Sequence, residues 1–386
     1  MVMTNCLETL AQCRMRIDEI DLEITKLYEA RMDVCAAVAD YKREHNMPIL
    51  QPERERSVIE KAKLRVENPF YMSGAARLFE TLMAISRSLQ QDTLNQGVEP
   101  MDLCPDWQVP ARVAFPGAGG SFSEQAAHDY FLKNANEGAT FTAFETFEQV
   151  ACAVSEGKVD CALMPIENST AGTVDETYRL IVKYGLHIVG EQIVDVRHHL
   201  LGIEGSNIED IREVRSHPQA IEQCRAFLKD HPDMRIVPME NTALSAMYVR
   251  DEHNQTIAAI ASIRAAAAYG LMAIEQDIHD VDKNSTRFVV LAKEPMDLNA
   301  DKASVIFTLE NEVGALSRVI GAFAGQGINL CHLESRPIPD TPWAYRFYAD
   351  LEWGSGRQAL IEALSQAHTC THELTLLGLY KRWEEK

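Results

Sequence analysis

Apolar residues recur along the first ninety positions at spacings of three and four, the period of a helix with one buried face. Counted from Leu7, the seam runs Leu7, Leu10, Arg14, Ile17, Asp21, Ile24, Tyr28, Arg31, Cys35, Val38 and Lys42. Breaks at Pro48, Pro52 and Asn68-Pro69 divide the stretch into one long and two shorter helices. From Arg112 to about Ala292 the pattern changes, and the apolar runs RVAF, CALMPI and HIVGEQIV alternate with helical SEQAAHDYF and VDETYRLIVKY. That alternation predicts an α/β domain with a largely parallel sheet. After Glu294-Pro295 come SVIFTLE, ALSRVIGAFAGQ, INLCHLESRP, WAYRFYADLEW, RQALIEALSQA and ELTLLGLY. Their order, β-α-β-β-α-β, is that of a ferredoxin-like unit. The stretch QGVEPMDLCPDWQVP has three prolines and little period, which marks a linker. The expected organisation is an all-helical domain at 1–95, a linker at 96–110, an α/β domain at 111–295 and a ferredoxin-like domain at 301–386.

Composition narrows the function classes. Of the 386 residues 46% are apolar and 24% charged, as in globular proteins. A net charge of −20 argues against general binding to nucleic acid or anionic membranes, both of which need a basic face. An anionic small molecule remains open, since a basic pocket can sit in an acidic body. Nine cysteines, none in a CxxC pair and most inside apolar runs, suit reduced thiols better than disulfides or a metal site. The opening MVMTNCLETL lacks a basic segment followed by an apolar one, and no apolar run is long enough to span a bilayer. A cytoplasmic protein is the expectation.

The helical seam carries charges where a core belongs. Arg14, Asp21, Arg31 and Lys42 interrupt it, three of them cations, and each buried charge needs a partner. One such charge is readily explained by register or by a side chain snorkelling out of the seam. Three point to a dianionic ligand lodged among helices. At about 1.5 Å per residue, Arg31 and Lys42 lie roughly 16 Å apart on one face and can converge; Arg14 and Arg31, roughly 25 Å apart, cannot. Arg14 is therefore expected to reach a partner subunit's site in an intertwined dimer. Arg54 and Glu55 follow in RERSVIEKAK, and Ser86 and Gln90 share a face at i,i+4.

The set Arg14, Arg31, Lys42, Arg54, Glu55, Ser86 and Gln90 resembles the all-helical class of chorismate mutase. One position departs from that pattern: Gln51 stands where the family often has an acidic residue. The resemblance implies a unimolecular rearrangement of chorismate to prephenate, without nucleophile or cofactor, by holding a compact conformer and stabilising charge on the ether oxygen. It implies that Arg14 and Arg31 bind carboxylates, Lys42 and Gln90 face the ether oxygen, and Glu55 takes the ring hydroxyl, with Arg54 and Ser86 in support.

In the second segment VAFPGAGGSFSE invites a dinucleotide reading. A G-x-G-x-x-G fingerprint needs glycine where Phe122 stands, and no Gly-Lys-Ser/Thr phosphate loop is present. What remains is a strand, a tight turn and a helix start at Ser121 or Ser123, a place suited to a small carboxylate. Further polar clusters fall at expected strand ends: Glu167, Asn168, Ser169 and Thr170; Ser216, His217, Gln219 and Gln223; Asn241 and Thr242; Thr286, Arg287 and Phe288. Singly, each reads as a capped turn.

Together the opening glycine–serine loop, PIENS, SHPQ and TRF resemble prephenate dehydratase. That resemblance implies two α/β lobes like those of periplasmic binding proteins, with the site in the cleft. It implies that Thr286 assists the leaving hydroxyl, that Arg287 fixes its loop or a carboxylate, and that Ser121, Asn168, Ser169, Thr170, Ser216, Gln223 and Thr242 orient prephenate. In the last segment, Gly314, Ala315 and Leu316 with Glu334, Ser335, Arg336 and Pro337 resemble the ACT domain of prephenate dehydratases. There the two stretches imply a phenylalanine pocket between subunits.

The three segments thus resemble the bifunctional chorismate mutase–prephenate dehydratase family of phenylalanine biosynthesis. The expected partners are chorismate, prephenate, phenylalanine as inhibitor and a second copy of the chain, with no metal and no cofactor. Two rivals stay open: a mutase fused to a prephenate dehydrogenase, which the broken glycine fingerprint disfavours, and a mutase fused to a non-catalytic prephenate- or amino-acid-sensing module.

Overall fold

The computed structural model describes residues 10–45, 52–94, 111–133, 138–281, 283–295, 300–338, 341, 343–354 and 356–384. The expected linker at 96–110 lies outside them, as does Gln51. Two compact units result: one holds the N-terminal helices and the two helices of the C-terminal segment, the other both α/β lobes and the C-terminal sheet.

In the first unit α1 (Leu10–Glu44), α2 (Pro52–Arg65) and α3 (Met72–Leu94) follow one another, with α1 and α2 each packed on α3. Proline ends the gap before α2, and Asn68 caps the short turn at Pro69 by accepting from the Phe70 amide at 3.0 Å. Among the described residues much of the apolar seam on α1 is uncovered: Leu10, Ile17, Ile24, Tyr28 and Val38 are all exposed.

In the second unit the first lobe contains β1 (Arg112–Pro116), α4 (Phe122–Lys133), β2 (Thr140–Phe144), α5 (Phe147–Ser155), β3 (Cys161–Asn168), β4 (Gly172–Thr173), α6 (Asp175–Tyr184) and β5 (His187–Asp195). The chain then crosses to the second lobe: β6 (His199–Gly202), β7 (Glu213–Ser216), α7 (Pro218–Gln223), α8 (Arg225–Asp230), β8 (Arg235–Pro238), α9 (Thr242–Glu252), β9 (Ile257–Ala261), α10 (Ile263–Tyr269) and β10 (Met272–Glu275). It returns as β11 (Ser285–Ala292), which inserts between β3 and β5 and runs antiparallel to both.

The expected largely parallel sheet is therefore corrected to two mixed sheets, ordered β2-β1-β3-β11-β5 and β10-β6-β9-β7-β8. The reason is the return crossing: a strand arriving from the other lobe enters the sheet from its opposite end. The two crossings are themselves tied, the Val196 amide donating to Asn284 O at 2.7 Å.

The C-terminal segment supplies β12 (Lys302–Thr308), α11 (Ala315–Gly325), β13 (Asn329–Pro337), β14 (Tyr345–Glu352), α12 (Arg357–Cys370) and β15 (Glu373–Tyr380), in the expected β-α-β-β-α-β order. Its sheet is ordered β13-β14-β12-β15 and belongs to the second unit. Ile306, Tyr348, Leu377 and Tyr380 share one buried core with Met164, Ile181 and Val289 of the first lobe. The backbones come so close there that a Cβ on Gly378 would sit 1.9 Å from Ile188 O.

Candidate active sites

In the helical unit, α1 and α3 bring a cation and a hydroxyl together. Arg31 Nη1 donates to Leu82 O at 3.0 Å and to Ser86 Oγ at 2.5 Å. Ser86 is buried and donates in turn to Leu82 O at 2.6 Å. Cys35, one turn beyond Arg31, contacts the same hydroxyl at 3.3 Å, a neighbour the sequence offered only as a seam position. Lys42 is buried as well. Burial draws its ammonium below the usual lysine range, while the nearby Glu55 and Cys35 act in the other direction. Arg14 and Arg54 are exposed. Gln90 lies on α3, but its side chain is outside the described residues.

In the α/β unit the polar motifs meet at the lobe crossings, and Asn168 is their hub. It ends β3 opposite Thr286 of β11. Its Oδ1 accepts from the amides of Thr170 at 3.1 Å and Ala171 at 2.9 Å, and from the Thr170 hydroxyl at 2.7 Å. Its Nδ2 donates to Asn284 Oδ1 at 3.0 Å and to Thr286 Oγ1 at 2.9 Å. Gln223 of the second lobe donates to Thr170 Oγ1 at 2.8 Å. Ser169 Oγ accepts from the Ser285 amide at 2.9 Å, fastening the PIENS turn to the start of β11. Thr286 and Asn284 are buried, and among the described residues the Asn284 Nδ2 has no hydrogen-bond partner.

Four expected site residues stand elsewhere. Ser216 is fully buried and donates to Ile260 O at 2.6 Å, joining β7 to β9. Ser121 caps α4 by accepting from the Glu124 amide at 3.2 Å. At the turn expected to suit a small carboxylate, the Gly120 amide donates to the chain's own Glu124 at 2.6 Å. The glycines serve closeness between lobes: a Cβ on Gly120 would lie 2.6 Å from Ala265 Cα of α10. Ser262 Oγ and Tyr269 OH, from the same lobe, donate at 2.8 Å to Gly120 O and Gly119 O. Thr242 opens α9 after the cap Asn241, beside a cleft of ≈ 560 Å³ lined by His217, Pro218, Pro238, Met239, Glu240 and Leu244.

Arg287 is the fourth. It pairs in register with Glu167 as Thr286 pairs with Asn168, so the two neighbours point to opposite faces of the sheet. Its guanidinium meets Glu167 at 3.2 Å, Glu191 at 3.2 Å and Asp350 at 2.7 Å. Lys302 meets Glu191 at 3.0 Å. Arg287, Glu191, Asp350 and Lys302 are all buried, and the anions around Arg287 hold its guanidinium well above its usual range despite burial. Arg287 is thus turned away from the Asn168 hub, towards the C-terminal sheet.

In the C-terminal segment Gly314 caps α11 with φ +81°, a conformation suited to glycine, and Ala315 and Leu316 begin the helix. Glu334 and Arg336 pair at 2.5 Å on the edge strand β13, with Ser335 and Pro337 exposed on its other face. The stretch touches the first lobe through His332, whose Nδ1 lies 3.5 Å from Glu167.

Cations set among helices, a two-lobed body with a polar hub at its crossings and a ferredoxin-like sheet define a fusion of two candidate sites with a third module. Family models place chorismate mutase type II at residues 13–91, prephenate dehydratase at 113–296 and an ACT domain at 303–369. A bifunctional chorismate mutase/prephenate dehydratase of Aquifex aeolicus is 32% identical over 378 residues, covering 97% of this chain and 99% of that one. The chain belongs to the bifunctional chorismate mutase/prephenate dehydratase family. A solved prephenate dehydratase of Arthrobacter aurescens in complex with L-Phe is 31% identical with a TM-score of 0.62, covering 70% of this chain and 90% of that one. A structure described as a new type of quorum-quenching acylase matches to a similar degree: 31% identity, TM-score 0.63, and coverage of 70% and 98%. Among the described residues no helix is long and apolar enough to cross a membrane.

Proposed function

We propose that the chain converts chorismate to prephenate among its N-terminal helices and prephenate to phenylpyruvate at the Asn168–Thr286 hub, in the cytoplasm, under feedback by phenylalanine. The observation that carries the second half is the Thr286 hydroxyl. Accepting from Asn168 Nδ2 at 2.9 Å leaves its own proton to donate. In prephenate the ring C–O bond breaks, the carboxylate C–C electrons enter the ring, and carbon dioxide and hydroxide leave, the latter becoming water with a solvent proton. Thr286 stabilises the charge growing on that oxygen by hydrogen bonding. The Asn284 Nδ2, without a partner among the described residues, supplies a second donor, and Ser169, Thr170 and Gln223 orient the substrate. Ser121, Ser216 and Arg287 hold the scaffold.

For the first step, Arg31 binds one substrate carboxylate, with Ser86 and Leu82 holding its guanidinium. Lys42 and Gln90 face the ether oxygen, Glu55 the ring hydroxyl, and Arg54 supports them. The exposed apolar seam of α1 supports a dimer in which a second copy covers it and contributes Arg14 to the neighbouring site. The open edge of β13 supports the same for the Gly314–Leu316 and Glu334–Pro337 stretches, taken together as a phenylalanine pocket between subunits. Replacing Lys42 by Gln and Thr286 by Ala tests the division: each variant should lose one step and retain the other. A Thr286→Ala enzyme that still dehydrates prephenate contradicts the assignment.

A further inference from the structure

The hydrogen bonds around Asn168 extend further than its substrate face, and their direction is fixed by chemistry. Backbone amides only donate, so the atom of Asn168 facing the Thr170 and Ala171 amides is its oxygen. The Thr170 hydroxyl, 2.7 Å from that oxygen, must therefore give its single proton there. The contact between Thr170 Oγ1 and Gln223 at 2.8 Å is then a donation from the Gln223 amide nitrogen. This leaves Gln223 Oε1 facing His198 Nε2 at 2.9 Å, and an amide oxygen only accepts. The proton of the His198 ring accordingly sits on Nε2.

The chain then reads in one direction: His198 Nε2 to Gln223, Gln223 to Thr170, Thr170 to Asn168, and Asn168 Nδ2 to Thr286 Oγ1. Each group that accepts a hydrogen bond becomes a better donor of the next, so the polarisation adds up at the Thr286 hydroxyl. His198 and Gln223 come from the second lobe or its crossing and the other three from the first, so the chain also ties the two lobes at the site. His198 is buried, packed edge-on against Phe122 with ring centroids 5.7 Å apart.

We propose that His198 is a positioning residue for the dehydration step, the first donor of a one-way hydrogen-bond relay that orients and polarises Thr286. This rests on the reading of Thr286 as the hydroxyl's hydrogen-bond donor.

The test uses the full chain with prephenate as substrate. Leucine at position 198 removes the donor, whereas glutamine can place an amide N–H where Nε2 stood. His198→Leu should lower kcat for dehydration by roughly tenfold with KM within about twofold, and His198→Gln should recover to within about threefold of the parent. Mutase activity measured in the same preparations should not change. A parent-like kcat for His198→Leu, or equal impairment in both variants, overturns the relay. Thr286→Ala run alongside separates the two readings. If it abolishes dehydration while His198→Leu does not slow it, the relay alone fails; if it dehydrates normally, the role of Thr286 fails. Nitrogen NMR of the unmodified protein reads the tautomer without any variant: a proton on His198 Nε2 at neutral pH is expected, and a proton on Nδ1 overturns the relay.

Discussion

Arg287 lies 2.7 Å from Asp350, a buried ion pair that joins the strand of Thr286 to the C-terminal sheet. The residue beside the proposed hydroxyl donor is thus held by the module expected to sense phenylalanine. Without Asp350 the buried guanidinium keeps only Glu167 and a Glu191 shared with Lys302, at a cost of up to about 3–5 kcal/mol. Asp350→Asn keeps the shape and an acceptor for the Ser304 hydroxyl, 2.5 Å away, while removing the charge. It should lower the melting temperature and weaken phenylalanine inhibition of dehydration at least tenfold, with chorismate rearrangement unchanged. Inhibition curves on both activities check this.

Among the described residues Asn284 offers a buried donor without a partner. Leaving such a group unsatisfied costs about 1–3 kcal/mol, which a bound carboxylate or hydroxyl would relieve. Asn284→Asp keeps the acceptor towards Asn168 but turns the donor into a like charge. The expected outcome is a KM for prephenate raised about tenfold or more, measured by initial rates.

Gly120 has φ +80°, and a Cβ there would meet the Ala265 backbone. Gly120→Ala combines a left-handed non-glycine with overpacking and should destabilise the α/β unit by about 2–4 kcal/mol. Denaturant unfolding followed in that unit measures it.

His198 titrates at about 4, chiefly because it is buried; His279 and His199 oppose its charge further, and the Gln223 bond works the other way. An unfolded histidine takes its proton near 6.5. Between those values the unfolded chain binds more protons, so stability falls as pH drops. The contribution is complete above about pH 6.5 and lost by about pH 4, amounting to as much as about 3 kcal/mol. Melting curves at pH 7 and 4.5 should show a smaller difference for His198→Gln than for the parent.

Much of this was legible in the sequence. The break of period at Pro295 announced the last module, Arg31 and Lys42 drew notice as cations in an apolar seam, and Ser86 through its i,i+4 spacing with Gln90. Asn168, Thr170, Gln223 and Thr286 were legible as clusters at strand ends. Antiparallel β11 was not, because an apolar run carries no record of the direction from which it enters a sheet. For Arg287 the sequence left two roles open, fixing its loop or a carboxylate, because adjacency alone does not tell which face of the strand a residue takes: Thr286 faces the hub and Arg287 the ion network. The glycine turn suggested a carboxylate, yet Glu124 four residues on supplies its own. His198 and Asn284 lie in the two lobe crossings, where no periodicity marks them. Phe122, which broke the dinucleotide fingerprint, packs on that same histidine.

The central claim is that one chain performs both steps without help. Purified protein given chorismate, with no nicotinamide or other cofactor added, should release phenylpyruvate and carbon dioxide. Prephenate accumulating as the end product would contradict it.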